Sequence, residues 1–367
     1  MQPYTLINHI INDIIHDALP IEFIRLNFAD NIRFDHEEYA RGWGQGPWND
    51  PIDTIRRNNN SPIPVYHMGD WQKTNWNKDA ERHGVPVYLE HQWEPVLYNL
   101  DKKFWDEYIA RQKKFKAPYV VLHSELNSLD IAQLEQQGLS TVHWFAHAYL
   151  CSEFYFKHYR KIKIFSDYKN RSIKYPWISA NRLLRQYRTD FLQMLDLSRG
   201  CYSLLNPDPN GLTYDGPVPA HSFDSHDNHS AEIEFEELTP WNTSFLHVVN
   251  ETVWQDKIHF TEKVFKPIVL HQPFVVLQAP GSLEYLRSYG FKTFGAWWDE
   301  GYDTIEDPQQ RMQAIADIVN SIGAKSLEEL ETMRMEMASV LEHNFRHFYE
   351  NIPAICLDEL RKGIATL

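Results

Sequence analysis

At 367 residues the chain is long enough for two domains, and 43% apolar residues with 20 Phe, 19 Tyr and 12 Trp supply ample core. A formal net charge of −14 argues against a protein that coats nucleic acid, because such binding rests on neutralising phosphates; a local basic site stays open. Three widely spaced cysteines, Cys151, Cys201 and Cys356, indicate neither a disulfide framework nor a zinc knuckle, and a reducing, cytoplasmic compartment is the simplest reading.

In chain order, Ile7, Ile10, Ile11, Ile14 and Ile15 recur at helical spacing among polar residues, which predicts an amphipathic helix rather than a signal peptide. No run approaches the length of a membrane span, so a soluble protein is expected. From Gly42 to Asp79 the sequence is dense in Gly, Pro, Asn and Trp with little periodicity, a long irregular loop read either as an insertion or as an acceptor-binding loop. Val85–Leu89, Pro118–Leu122 and Thr141–Phe145 read as buried strands, with helices over Lys102–Lys114 and up to Gln137 between them. That alternation predicts a parallel α/β sheet, with Glu90, His123, Glu125, His143 and His147 near its C-terminal strand edge.

Between Lys157 and Lys174 seven basic residues stand against one acid, Asp167. A solvated face is the plain reading of such a run, and a phosphate-facing hinge between domains is the other. A second sheet is predicted from Pro176–Ser179, Cys201–Leu205, Phe245–Val249 and Pro273–Leu277. After its first strand come Asn181, Arg182, Arg185 and Arg188; on a helix the three arginines would form one skewed row, suited to gripping a pyrophosphate. The His/Asp-rich loop from His221 to His229 matches no zinc spacing, and no metal site is assigned.

The third strand of this sheet, Phe245–Val249, runs into Asn250, Glu251 and Thr252, at the edge where ligands bind in open α/β sheets. Shortly afterwards Thr261 is placed to cap a helix whose first turn holds Glu262 and Lys263, a start whose free N–H groups favour phosphate. Pro267, a few residues in, predicts either a later start or a kink. Downstream, a helix over Leu283–Tyr289, a short strand Phe291–Phe294, an aromatic and acidic loop at Trp297–Asp303 and helices over 306–321, 326–350 and Cys356–Ile364 complete the chain.

The acidic residue at a strand end followed by Thr-Glu-Lys opening a helix resembles the donor-site motif of the fucosyltransferase-like glycosyltransferases of GT-B architecture. The longer run containing FTEKVFKPI, PGSLEYLRSYGFKTF and WWDEGYD is similar to uncharacterised glycosyltransferase-like proteins of bacteria and phages, over roughly the C-terminal half. The resemblance implies an α/β fold of two Rossmann-like domains with parallel sheets facing a cleft. Residues 1–170 would form the acceptor domain and 171–350 the nucleotide-sugar donor domain, with 351–367 a helix returning to the first.

It implies hexosyl or deoxyhexosyl transfer from a nucleotide sugar to a hydroxyl of a glycan or other acceptor, inverting and metal-independent, with no cofactor beyond the donor. Glu262 would bind the donor ribose, Lys263 with Asn181, Arg182, Arg185 or Arg188 the pyrophosphate, and Glu251 the sugar, while Thr261 opens the helix. Inversion needs a base for the acceptor hydroxyl, and Glu125, beside Ser124 and Asn127, is the candidate; its plainer reading is a helix cap. The sugar-reading positions of true fucosyltransferases are not recognisable, so GDP-fucose is not implied. Two alternatives stay open: a glycosyltransferase acting on DNA or nucleotides through Lys113–Lys116 and Lys157–Lys174, and an inactive nucleotide-sugar-binding module.

Overall fold

The computed structural model describes strand backbones at 23–27, 65–67 and 87–91, scattered positions between 95 and 110, and most of 119–366. Within that last range, 163–166, 182–183, 205–215 and 218–237 lie outside the described residues. The predicted helix over Ile7–Ile15, most of the Gly42–Asp79 stretch, Arg182 and the His221–His229 cluster therefore also lie outside them.

The chain is α/β and divides into two compact units, one of residues 1–146 with 356–367 and one of 147–355. In the first, β1 (Phe23–Asn27), β2 (Val65–His67), β3 (Val87–His91), β4 (Tyr119–His123) and β5 (Ser140–His143) form a sheet in the order β2-β1-β3-β4-β5. Every pairing is parallel. Two of these strands have no counterpart in the sequence reading: β1, and β2 inside the stretch read as an irregular loop. β2 has only three residues, and neither strand carries the continuous apolar run that marks β4.

Helix α1 (Leu129–Gln136) follows β4, capped by Ser128, whose hydroxyl accepts from the Ile131 amide. The Cys356–Leu367 segment belongs to this unit. There Glu359 accepts from the Phe145 amide at 2.8 Å and contacts His143 Nδ1 at 3.0 Å.

The second unit holds β6 (Tyr175–Ser179), β7 (Gly200–Tyr202), β8 (Ser244–Asn250) and β9 (Phe274–Leu277), all parallel, in the order β7-β6-β8-β9. Every residue of β8 and β9 is buried. Both faces are therefore covered, which is why these strands read as continuous apolar runs rather than alternating ones. Among the described residues the remaining helices, in chain order, are α2 (Ala146–Leu150), α3 (Gln186–Gln193), α4 (Leu238–Asn242), α5 (Glu262–Val269), α6 (Ser282–Ser288), α7 (Pro308–Gly323), α8 (Leu327–Glu336), α9 (Ala338–Glu350) and α10 (Ile352–Ile364), the last continuing into the Cys356–Leu367 segment of the first unit. Helix α7 starts with Pro308 behind an Asp307 cap, and α8 with a Ser326–Glu329 capping box. No helix among the described residues is long and apolar enough to cross a membrane.

Three local expectations are corrected. Phe291–Phe294 is not a strand: Asn344 bonds both the amide and the carbonyl of Lys292 at 2.8 Å, so a side chain satisfies the backbone that a ladder would have used. The helix expected over 326–350 is two helices, α8 and α9, divided at Met337. And of the two readings offered for Pro267, the later start is the one set aside: α5 opens directly after Thr261 and carries that proline within its eight residues.

Candidate functional site

In an open parallel sheet, the strand order reverses where consecutive crossovers leave in opposite directions, and the crevice beyond the strand ends is where ligands bind. In the second unit the reversal falls between β6 and β8. Their C-terminal residues, Ser179 and Asn250, are polar and buried. Asn250 Nδ2 donates to Ser179 Oγ and to Asn181 Oδ1, both at 2.8 Å; Asn181 Nδ2 reaches Ser179 Oγ at 3.0 Å, and the Asn181 amide reaches Ser203 Oγ at 3.2 Å. Asn181 is fully buried, so its position is that of a clamp holding strand ends together.

One residue on, Glu251 is also fully buried. Its carboxylate accepts from Thr261 twice, at 2.6 Å from the hydroxyl and 3.2 Å from the amide. Burial pushes this carboxyl above its ordinary range, against the opposing effects of Lys263 and the Thr261 hydroxyl. Thr261 Oγ1 in turn accepts from the Lys263 amide at 3.4 Å and from Lys263 Nζ at 3.2 Å. The Lys263 ammonium also contacts Glu262 at 2.7 Å and Thr252 Oγ1 at 3.5 Å, and its side chain is 30% exposed against 14% for Glu262.

A lysine in the first turn opposes the helix dipole, which favours acids there. Lys263 therefore adds its charge to N–H groups that already attract anions, and Glu262 balances it. Burial opposes ionisation of Glu262, yet Lys263, Lys266 and His147 outweigh it and hold that carboxyl down to about 2. Burial likewise works against the Lys263 charge, but Glu262 and Glu251 raise it above its ordinary value. Both members of the pair are charged at neutral pH.

Two buried side chains, on α2 and on the π-helical turn Cys151–Tyr155 that continues it, lie within electrostatic range of the same pair. His147 meets His259 edge to face at 5.2 Å, and its Nδ1 has no hydrogen-bond partner among the described residues. Burial lowers this imidazole to about 4, with Glu262 opposing and Lys263 assisting. Burial, with Glu262 and Glu251 nearby, pushes the Cys151 thiol well up. It is a packed thiol; Cys201 and Cys356 are buried as well, and none of the three is in a disulfide.

The expected arginine row does not form on one helix. Arg185 is the residue preceding α3, in extended backbone and half-buried, whereas Arg188 lies inside the helix. Arg188 is buried; its guanidinium donates to the Asn250 and Glu251 carbonyls, both at 3.1 Å, and to Tyr187 Oη at 3.0 Å. Tyr187 Oη also donates to the Glu251 carbonyl. These contacts close the C-terminal end of β8, where carbonyls have run out of ladder partners.

In the first unit, Glu125 follows β4 and is buried. It accepts from the Val96 amide and, at 2.5 Å, from the Ser128 hydroxyl, and its own amide contacts His123 Nδ1 at 3.2 Å. The helix cap is thus Ser128, with Glu125 behind it.

The acids of the Trp297–Asp303 loop are engaged locally. Asp303 accepts the first free amides of α6, Leu283 at 2.9 Å and Glu284 at 3.0 Å, and Glu300 accepts from Phe294 N at 2.6 Å and Thr293 Oγ1 at 2.7 Å. The basic run is likewise answered by carboxylates: Lys157 by Glu153 at 2.6 Å, Arg160 by Glu350 at 3.0 Å, and Lys169 by Glu342 at 2.6 Å.

Of the residues named from sequence, Glu251, Thr261, Glu262, Lys263, Asn181 and Arg188 therefore gather at one sheet edge, Arg185 stands at the start of α3, and Glu125 sits in the other unit. Asn250, placed at this edge from the sequence without a role, is joined there by Ser179 and Tyr187, which were not named as site residues. A polar residue ending an apolar strand was the only signal Ser179 offered, and Tyr187 offered none. No protein-family model and no curated protein matches the chain.

Proposed function

We propose that this chain is a glycosyltransferase of GT-B type that takes a sugar from a nucleotide-sugar donor. The observation that carries the reading is the Lys263–Glu262 pair at the N-terminus of α5, beside the strand-order reversal of the second unit. A cation added to a helix start is a site for an anion, and a carboxylate next to it accepts from hydroxyls. A nucleoside diphosphate sugar offers both a pyrophosphate and a ribose.

On this reading Lys263, with the start of α3 at Arg185, takes up the charge that develops on the departing diphosphate, and Glu262 exchanges part of its contact with Lys263 for the ribose hydroxyls. With the leaving-group charge met by side chains, transfer needs no divalent ion; the inverting outcome is carried over from the family resemblance alone. Glu251 holds Thr261, which positions Lys263. Glu125 in the first unit is the candidate base for the acceptor hydroxyl, with the acceptor assigned to that unit.

The test is a thermal-shift panel of UDP-, GDP-, ADP- and CMP-linked sugars on the full chain. One donor class should raise the melting temperature, and the response should disappear in Lys263→Ala and Glu262→Ala proteins whose circular dichroism is unchanged. Wild-type donor binding by those variants would sink the site. Thermal protection by a donor that is neither hydrolysed nor transferred to any acceptor would leave a binding module in place of the enzyme.

A further inference from the structure

The basic run that the donor site does not use leads to a cavity elsewhere in the second unit. A space of 430 Å³ opens between residues 169–172 and α8, lined among others by Lys169, Arg171, Ser172, Glu328, Glu331 and Arg334. That volume lies in the range of small-molecule pockets. Its lining is layered: Lys169, Ser172, Glu328 and Glu331 are exposed and form the rim, Arg171 is half-buried, and Arg334 is 8% exposed.

The floor is cationic. Arg334 occupies the last turn of α8, where a helix favours positive charge, and one of its terminal nitrogens reaches the Lys169 carbonyl at 3.5 Å. Its Nε is buried and has no hydrogen-bond partner among the described residues. Arg171 is fixed beside it by the Asn242 side chain at 3.1 Å and the Leu270 carbonyl at 2.7 Å. Burial, and then the neighbouring Arg334 charge, hold the Arg171 guanidinium down to about 10, with Asp167 and Tyr168 opposing. Two like charges thus lie close together under a polar cavity.

We propose that this cavity binds a small oxyanion, a phosphate or carboxylate group carried by a polar metabolite, with the Arg334 and Arg171 guanidinium groups that line it supplying the positive charge. The rim argues for a small ligand over a nucleic acid. Glu328 and Glu331 would repel a polyanion, whereas a single oxyanion reaches past them to the floor, and the rim's Ser172 and carboxylates suit hydroxyls on the rest of the ligand.

The site is separate from the α5 N-terminus, and the experiment keeps the two apart. Inorganic phosphate is titrated calorimetrically into the full chain at constant ionic strength against sodium chloride, with acetate as the carboxylate arm. Saturable binding of phosphate or of acetate is expected, and which of them binds assigns the ligand's oxyanion. Affinity should weaken about tenfold or more in Arg334→Met, as loss of a charge-assisted bond implies. It should persist in Lys263→Ala and strengthen in Glu331→Gln, which removes a negative rim charge. Heat no greater than that of chloride for both anions, or binding that is lost in Lys263→Ala and kept in Arg334→Met, overturns the proposal. Should Arg334→Met fail to fold, an unchanged affinity in Glu331→Gln overturns it equally.

Discussion

Thr261 donates its hydroxyl to Glu251 and accepts from Lys263, so one side chain links a fully buried carboxyl to a partly exposed ammonium. Replacing it with alanine removes a helix cap and strips Glu251 of its hydroxyl donor in a place water does not reach. The expected cost is about 1–3 kcal/mol in chemical denaturation. Thr261→Ser, which keeps the oxygen, should recover most of it. Equal losses for both substitutions would mean that the methyl group, packed in the core, matters more than the bond. The same chain of contacts explains why Glu251 sits at the strand end: it fixes the hydroxyl that fixes the lysine.

At the scale of elements, α10 shows how one helix is matched to one strand. Cys356, Leu360 and Ile364 recur every fourth residue and are fully buried, a single apolar stripe. Gly363 lies in the same last turn, and a Cβ there would fall far inside contact distance of Val142 Cγ1 on β5. Helix propensity alone favours alanine over glycine by roughly 1 kcal/mol. The close approach predicts the opposite sign, because Val142 is β-branched and has few rotamers to retreat into. Gly363→Ala should lower the melting temperature of the full chain, and Gly363→Val should lower it further. A gain in either variant would show that α10 does not depend on this contact.

Across the molecule, buried imidazoles set the response to acid. Burial lowers His147 to about 4; burial and then Lys266 lower His247 to about 3, with Gln272 opposing. Both stay neutral in the folded chain while the unfolded chain takes up protons below about pH 6.5. The unfolded state then binds more protons, so this contribution is complete above pH 6.5 and is lost as pH falls through 6.5 towards 4 and 3. At pH 5 the loss is about 2 kcal/mol for each histidine.

Glu262, held at about 2, loses its contribution only lower, as pH falls from 4.5, and the raised Glu251 acts in the opposite sense, losing stability as pH rises from 4.5. Urea midpoints should therefore drop clearly between pH 7 and pH 5, and a His147→Gln/His247→Gln double variant should show a flatter dependence. Equal wild-type midpoints at the two pH values would refute this.

What the sequence by itself determined was the parallel α/β character and the position of every strand with a continuous apolar run. Burial on both faces of a parallel sheet writes itself directly into composition, so β4, β6, β8 and β9 were legible within two residues. So were Thr261 as a cap and Glu251 at a strand end, because caps and strand ends are local chemistry.

Tertiary structure decided the rest. Strand order, and with it the reversal between β6 and β8, depends on which strands pair across long separations, and nothing local encodes it. Arg188 turned out to brace the carbonyls ending β8 because the helix begins only at Gln186, a boundary the arginine spacing could not reveal. Phe291–Phe294 lost its strand to a side chain from α9, more than forty residues away in sequence. In each case the deciding partner is distant along the chain, and its free energy enters only when the fold brings the two together.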